Sequence, residues 1–184
     1  MYRRKFIKEL LLFFSISLIK PTNVLASVNS IKLGKKAPYF LLNGFNKNYP
    51  KQTQWSLHDF AGKWLILYFY PKDFSSGCTL QAKQFQDMFY KYEKLNASIV
   101  GISADNESEH ESFCTSAKLG YTLLSDLNGE ISKLYDSWLD PYSKRNTFLI
   151  NPEGLVLFKW IGVRPLGHAQ EVLDELLKQQ QIYA

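Results

Sequence analysis

Residues 64–79 read WLILYFYPKDFSSGCT, an apolar run followed by a proline turn and a cysteine at the opening of a helical pattern. The run 64–70 is short, aromatic and branched, and a glycine and a proline bound it, which predicts a buried central strand. Past Cys78, apolar side chains recur at helical spacing as far as Lys94, so a helix begins at or just before the cysteine. A helix N-terminus presents unpaired N–H groups and a positive dipole end, which stabilise a thiolate. Cys78 is therefore a candidate nucleophile, and the alternative is a small buried core residue.

The first 26 residues differ in composition from the rest of the 184-residue chain. A basic start precedes an apolar stretch of about ten residues, and Val24-Leu25-Ala26 stands before Ser27, which predicts a signal peptide over 1–26. The segment Arg3-Arg4-Lys5-Phe6-Ile7-Lys8 resembles a twin-arginine export signal. The stretch is too short to span a bilayer, so we expect export to a periplasm or thylakoid lumen without stable membrane association after processing. An uncleaved anchor is the alternative.

Charge argues against nucleic acid as a partner. Residues 27–184 carry 17 basic and 16 acidic side chains, a net charge of +1, so the high isoelectric point of the whole chain belongs largely to the leader. No basic stripe of the kind that phosphate binding requires is present. Residues 27–184 have enough apolar material for one domain with a sizeable core.

The remaining pattern alternates strands and helices. After a flexible lead-in over 27–36, it predicts strands at 37–42, 64–70, 97–103, 121–125, 145–150 and 155–160, a helical turn at 56–60, and helices at 78–94, 107–119, 130–135 and 169–180. This order predicts an α/β fold, a thioredoxin-like sandwich with a central mixed sheet flanked by helices.

A sheltered thiolate needs donors close by. Ser75 can offer a hydroxyl, Gly77 and Cys78 can offer backbone amides, and Arg145 at the start of a neighbouring strand can bring a permanent positive charge. Such a set would stabilise the thiolate and polarise an oxygen substrate as negative charge grows on the leaving atom.

These motifs resemble those of a known family. The sequence is similar to peroxiredoxins, most closely to the branch called peroxiredoxin Q or bacterioferritin comigratory protein, and the likeness covers nearly all of 31–178. The matching segments are 37–41, 56–60, 68–71, Ser75, 77–79, Gln81, 101–103, 124–126 and 145–150.

The resemblance implies a function. Cys78 would be the peroxidatic cysteine, shielded by Pro71, with Ser75 in the place usually held by threonine or serine and Arg145 as the matching arginine. The thiolate would attack a peroxide oxygen, release water or an alcohol, and become a sulfenic acid. No metal, haem or flavin is implied, a thioredoxin-like dithiol is the expected reductant, and we expect a monomer.

The chain departs from the branch at the second cysteine. Many members carry a resolving cysteine five residues after the peroxidatic one, where this chain has Lys83, and Ser76 stands where proline is common. The remaining thiol is Cys114, in the second predicted helix, which resembles a minority arrangement of the branch. We expect Cys114 to resolve the sulfenic acid as a disulfide, which requires the turns bearing both thiols to unwind because thiols on separate helices rarely meet. The alternative is a buried structural cysteine.

Three other functions are weaker interpretations. A thiol–disulfide oxidoreductase usually relies on C-x-x-C, and position 81 is Gln. An exported redox sensor or holdase would use Cys78 without efficient turnover. A zinc site is disfavoured because His58, His110 and His168 are scattered.

Overall fold

The computed structural model describes residues 31–183, so the predicted leader and residues 27–30 lie outside it. Nine strands and five α-helices follow in this chain order: β1 (Leu41–Phe45), β2 (Gln54–Ser56), β3 (Trp64–Phe69), α1 (Ser76–Asp87), α2 (Phe89–Lys94), β4 (Ala97–Ser103), α3 (Glu107–Ala117), β5 (Thr122–Ser125), α4 (Glu130–Leu134), β6 (Trp138–Leu139), β7 (Tyr142–Ser143), β8 (Thr147–Ile150), β9 (Val156–Trp160) and α5 (His168–Tyr183). A 3₁₀ turn at Leu57–Phe60 precedes β3. Across 31–183, no helix is both long and apolar enough to cross a membrane.

Seven strands form one mixed sheet in the order β2-β1-β5-β4-β3-β8-β9, and helices cover it, as the thioredoxin-like prediction requires. The strand β3 lies inside the sheet, parallel to β4 and antiparallel to β8. All six of its side chains are buried, because alternate residues feed two separate cores. Tyr68 packs with α1, α3 and α5 on one face, and Phe69 packs on the other face beneath Tyr135.

The long helix predicted over 78–94 is two helices. The first helix begins at Ser76, two residues earlier than Cys78. The helical conformation is interrupted at Met88, and the second helix follows it. In the second helix Tyr92 is buried, and its hydroxyl donates to the carbonyl of Ala169 in α5. Periodicity did not reveal the break, because apolar side chains keep helical spacing across it.

The N-terminal part of the predicted architecture also needs correction. The first strand begins at Leu41 rather than at residue 37. The described part of the lead-in is held in place, since the Gly34 amide donates to Val156 and Lys36 forms a bridge with Leu155. These contacts join segments more than a hundred residues apart, so local composition could not reveal them.

Between α4 and β8, the sequence patterns did not predict one hairpin and placed the start of the following strand too early. The short β6-β7 hairpin, which turns at a cis Asp140–Pro141 bond, was not predicted. The predicted strand 145–150 begins at Thr147, so Arg145 lies in the approach to β8 rather than within it.

Candidate active site

Cys78 is the third residue of α1 and points inward. Ser75 is the extended N-cap, and the first helical hydrogen bond runs from the Thr79 amide to the Ser75 carbonyl, at 2.8 Å. The amides of residues 76–78 therefore precede that ladder, which is where a helix offers its unpaired donors. The Cys78 side chain is 1% exposed and shares its buried face with Ala82 and Phe85. The thiol is sheltered by protein at a helix start.

Arg145 reaches this thiol from the segment just before β8. The register of β3 against β8 pairs Tyr68 with Thr147, and the Phe69 amide donates to the Asn146 carbonyl at 2.8 Å. This pairing carries Arg145 to the end of β3, beside the start of α1. Its Nη2 donates to Cys78 Sγ at 3.3 Å. A permanent charge therefore lies against the sulfur.

Gln81 holds the other side of the guanidinium. Arg145 Nη1 donates to Gln81 Oε1 at 2.7 Å, and the glutamine side chain is fully buried one turn after Cys78. Within residues 31–183, Gln81 Nε2 is buried without a hydrogen-bond partner. The sequence pattern marked Gln81 only as part of a motif and did not reveal this contact. The available signal was a polar side chain three residues beyond the cysteine on a buried helix face.

The segment before α5 lies close to Gly77. A Cβ at this position would lie 3.4 Å from Arg145 Nη2 and 3.4 Å from Pro165 Cγ. The Arg145 carbonyl also accepts from the Val163 amide at 2.8 Å, which ties the segment before α5 to the arginine. Pro165 therefore belongs to the surroundings of the thiol, although no local pattern marked it.

Ser75 and Pro71 occupy the loop between β3 and α1. The Ser75 hydroxyl donates to the Lys72 carbonyl at 3.1 Å, so in this arrangement it braces the loop rather than meeting the thiol as expected. Pro71 is half-buried and directly follows Tyr70. Both residues therefore lie in the loop that leads into α1.

Cys114 lies in α3 and is fully buried and free, as is Cys78. Burial, followed by the nearby negative charge of Asp73, raises the pKa of the Cys114 thiol to about 12. The two thiols belong to one continuous buried cluster. In this arrangement Cys114 is protonated and shielded, so it reacts only after a local change in structure.

The histidines have separate partners. His110 contacts Asp73, and His168 contacts Thr147 and Glu171. Among residues 31–183, no group of three histidine, cysteine or acidic side chains is arranged to hold a metal ion.

A buried cysteine at a helix start, contacted by an arginine from the segment just before a strand of a thioredoxin-like sheet, is typical of a thiol-based redox protein. The model of the AhpC/TSA family matches residues 33–159. The chain therefore belongs to the AhpC/TSA family, with relatives in its Bcp and peroxiredoxin Q branch.

Two relatives and two solved structures illustrate the likeness. The putative peroxiredoxin bcp of Helicobacter pylori J99 is 36% identical and covers 81% of this chain and 100% of its own length. Chloroplastic peroxiredoxin Q of Populus jackii is also 36% identical, over 88% of this chain and 74% of its own. A Xylella fastidiosa PrxQ variant superposes with a TM-score of 0.70 at 28% identity, covering 82% and 98% of the two chains. The Xanthomonas campestris bacterioferritin comigratory protein, described from a trapped intermediate/ligand complex, has a TM-score of 0.69 at 29% identity, covering 81% and 97%.

Proposed function

We propose that this chain is a thiol-dependent peroxidase that reduces hydrogen peroxide and organic hydroperoxides through a sulfenic acid at Cys78. The observation that carries the proposal is the 3.3 Å contact between Arg145 Nη2 and the sheltered Cys78 Sγ at the start of α1. The proposal is also supported by the relatives of this chain, which are named as peroxiredoxins. The Xanthomonas campestris neighbour is described as having alkyl peroxide reduction activity.

The first step is a displacement at oxygen. The Cys78 thiolate attacks one peroxide oxygen, the S–O bond forms as the O–O bond breaks, and the departing oxygen takes a proton to leave as water or an alcohol. The guanidinium of Arg145 faces the sulfur and stabilises negative charge as it moves to the departing oxygen. Pro71 and Ser75 bound the approach through the loop that precedes α1.

We propose that Cys114 resolves the sulfenic acid as an intramolecular disulfide. Solved structures of Xanthomonas campestris peroxiredoxin Q include two single cysteine-to-serine variants at positions 36 residues apart. Cys78 and Cys114 have the same separation. Because both thiols are buried on separate helices, the disulfide requires local opening of α1 and α3. A thioredoxin-like dithiol then returns both cysteines to thiols.

The deciding experiment is peroxide consumption by residues 27–184 with thioredoxin and its reductase. The wild type should turn over continuously, Cys78→Ser should consume no peroxide, and Cys114→Ser should complete one turnover without recycling by thioredoxin. Peptide mapping of the oxidised wild type should recover a Cys78–Cys114 disulfide. Full recycling in Cys114→Ser would instead assign a single-cysteine mechanism. Client binding without turnover in the wild type, retained in Cys78→Ser, would favour a holdase.

We also propose that residues 1–26 direct twin-arginine export and are then removed, leaving a monomer of residues 27–184 free of the membrane. The proposal is supported by the Arg3-Arg4 motif and the short apolar stretch that follows it. Replacing both arginines by lysine should keep the protein on the cytoplasmic side in a host with this pathway. The exported protein should begin at Ser27 by mass spectrometry, and retention of residues 1–26 would identify an anchor instead.

A further inference from the structure

Asp73, in the loop before α1, is held by three hydrogen bonds. Its carboxylate accepts from the Tyr70 hydroxyl at 2.7 Å and contacts His110 Nδ1 at 2.8 Å. Its backbone amide donates at 2.8 Å to Asp105, whose carboxylate also accepts from the Ser103 hydroxyl at 2.7 Å. All five residues are buried. The loop is therefore fastened to β4 and α3 through polar contacts in a poorly solvated place, where a group left unpaired is costly.

The Asp73–His110 contact joins the two segments that carry the thiols. Asp73 precedes Cys78 by five residues, and His110 precedes Cys114 by one helical turn on α3. Within residues 31–183, His110 Nε2 is buried without a partner, so Asp73 supplies the principal polar contact of this ring. Nδ1 therefore donates its proton to the carboxylate.

The next residue of the loop adds a second tie to α3. Phe74 adopts a φ of 60°, a region that non-glycine residues rarely occupy, and its ring packs edge-on against Phe113 with centroids 5.1 Å apart. Such a conformation persists only where the surroundings hold it. Phe74 therefore depends on the closed loop and on its contact with α3 to keep this conformation.

We propose that the Asp73–His110 pair, called here the latch, sets how often the Cys78 loop and α3 separate, and thereby controls exposure of Cys114. His110 is thus a positioning residue for the resolving step. While the latch is closed, Cys114 is shielded. When it opens, the Asp73 carboxylate leaves the vicinity of Cys114 and the thiol gains solvent.

The redox consequence rests on the proposed peroxidase function. With the latch open, Cys114 sulfur attacks the Cys78 sulfenic acid, the S–S bond forms, and the S–O bond breaks. The hydroxide leaves with the Cys114 proton as water, so no further oxidant or reductant enters. A closed latch prolongs the sulfenic acid and leaves it open to a second peroxide, which gives a sulfinic acid.

The first test measures opening without any peroxide chemistry. In the reduced Cys78→Ser protein, the rate of Cys114 alkylation by iodoacetamide reports its exposure. His110→Leu removes the donor, and we expect alkylation to accelerate by roughly fivefold or more. His110→Asn places an N–H near the position of Nδ1 and should bring the rate back toward that of the parent.

Two further variants make this test decisive. Tyr70→Phe removes one bond to Asp73 while keeping the buried ring, so it should accelerate alkylation in the same direction even if His110→Leu does not fold. Tyr135→Phe is the matched control, because its hydroxyl donates to the Pro38 carbonyl away from both thiols. Unchanged alkylation in Tyr70→Phe and in any folded His110→Leu protein, or equal acceleration in Tyr135→Phe, would overturn the latch.

The second test follows the fate of the sulfenic acid in proteins that retain Cys78. Intact-mass analysis after a peroxide pulse should give a higher ratio of disulfide to sulfinic acid in His110→Leu and Tyr70→Phe than in the wild type and Tyr135→Phe. If alkylation is faster but the ratio of disulfide to sulfinic acid is unchanged, the latch controls exposure of Cys114 and has no part in the resolving step. Absence of any peroxide reaction in the wild type would refute the proposed function and leave the alkylation result intact.

Discussion

Arg145 Nη2 and Cys78 Sγ lie 3.3 Å apart although 67 positions separate the two residues in the chain. The antiparallel pairing of β3 with β8 creates this contact, because it places the segment before β8 beside the start of α1. The pairing of β3 with β8 thus positions the guanidinium of Arg145, and the start of α1 positions the thiol of Cys78.

Loss of the Arg145 charge should slow the first chemical step. We expect Arg145→Met to lower the second-order rate constant for Cys78 oxidation by roughly 100-fold, because a donor aimed at developing negative charge is removed. Arg145→Lys should recover only part of the loss, since lysine cannot contact the sulfur and Gln81 with a planar fork. Stopped-flow oxidation measures the rate constant, and the exposed Arg164→Met is the control. Equal rates in Arg145→Met and the wild type would remove the arginine from the mechanism.

Gln81 should matter through Arg145 rather than through the peroxide. Gln81→Met keeps the buried volume but loses the acceptor that fixes Nη1, so we expect the rate of Cys78 oxidation to fall by roughly tenfold. The same substitution should have little effect when Arg145 is already methionine, which a double-mutant cycle measures. Gln86→Met is the control on the same helix, because it loses a 2.6 Å bond from the Gly120 amide instead. Additive effects of the two substitutions would contradict this role.

Cys114 should make the folded protein less stable in alkali. Its pKa is raised to about 12 by burial, whereas an unfolded thiol ionises near 8.5, so between these values the unfolded chain releases a proton that the folded chain retains. Stability is therefore lost as pH rises above about 8.5. In reduced Cys78→Ser protein, urea unfolding should lose roughly 1.4 kcal/mol by pH 9.5 relative to the same protein carrying Cys114→Ala. Parallel pH profiles of the two proteins would contradict the prediction.

Gly101 should tolerate no side chain. An added Cβ would lie 2.7 Å from Leu123 Cδ2 and 2.8 Å from Tyr68 Cζ, in a core where Tyr68 also stacks on Phe85 of α1. We expect Gly101→Ala to reduce the free energy of unfolding by about 1–3 kcal/mol through overpacking. Urea titration measures it, with the half-buried Ser98→Ala on the same strand as the control. Wild-type stability in Gly101→Ala would show that the sheet has room to adjust.

The elements that local patterns predicted well share one physical property. The strand β3, the strand β4 and the helix α3 each carry their signal within a few consecutive residues, as a buried apolar run or as an acidic, capped helix start. The hairpin of β8 and β9 also has a local signal, because the turn residues Asn151, Pro152 and Gly154 lie directly between the two strands. Short-range chemistry was sufficient for these segments, and therefore for the α/β class.

In the candidate site, too, the residues marked by a local pattern were predicted, and the contacts that depend on tertiary packing were not. A cysteine at a helix start after a proline turn is visible in the chain itself, and Arg145 was named as the first residue of a predicted strand, which in the structure begins at Thr147. The hydroxyl of Ser75 was assigned to the thiol, but its bond to Lys72 depends on the exact path of the loop. The interruption at Met88 was not visible in the pattern either, whereas the structure ties the second helix to α5 through the Tyr92 hydroxyl.

Sequence periodicity and helix chemistry were enough to single out Cys78, because a strand, a turn and a helix start are contiguous. Tertiary structure alone brought Gln81 to the guanidinium and joined Asp73 to His110, since those contacts depend on sheet register and on how two helices pack. Distances between segments far apart in the chain are set by the whole core, and no local pattern contains them.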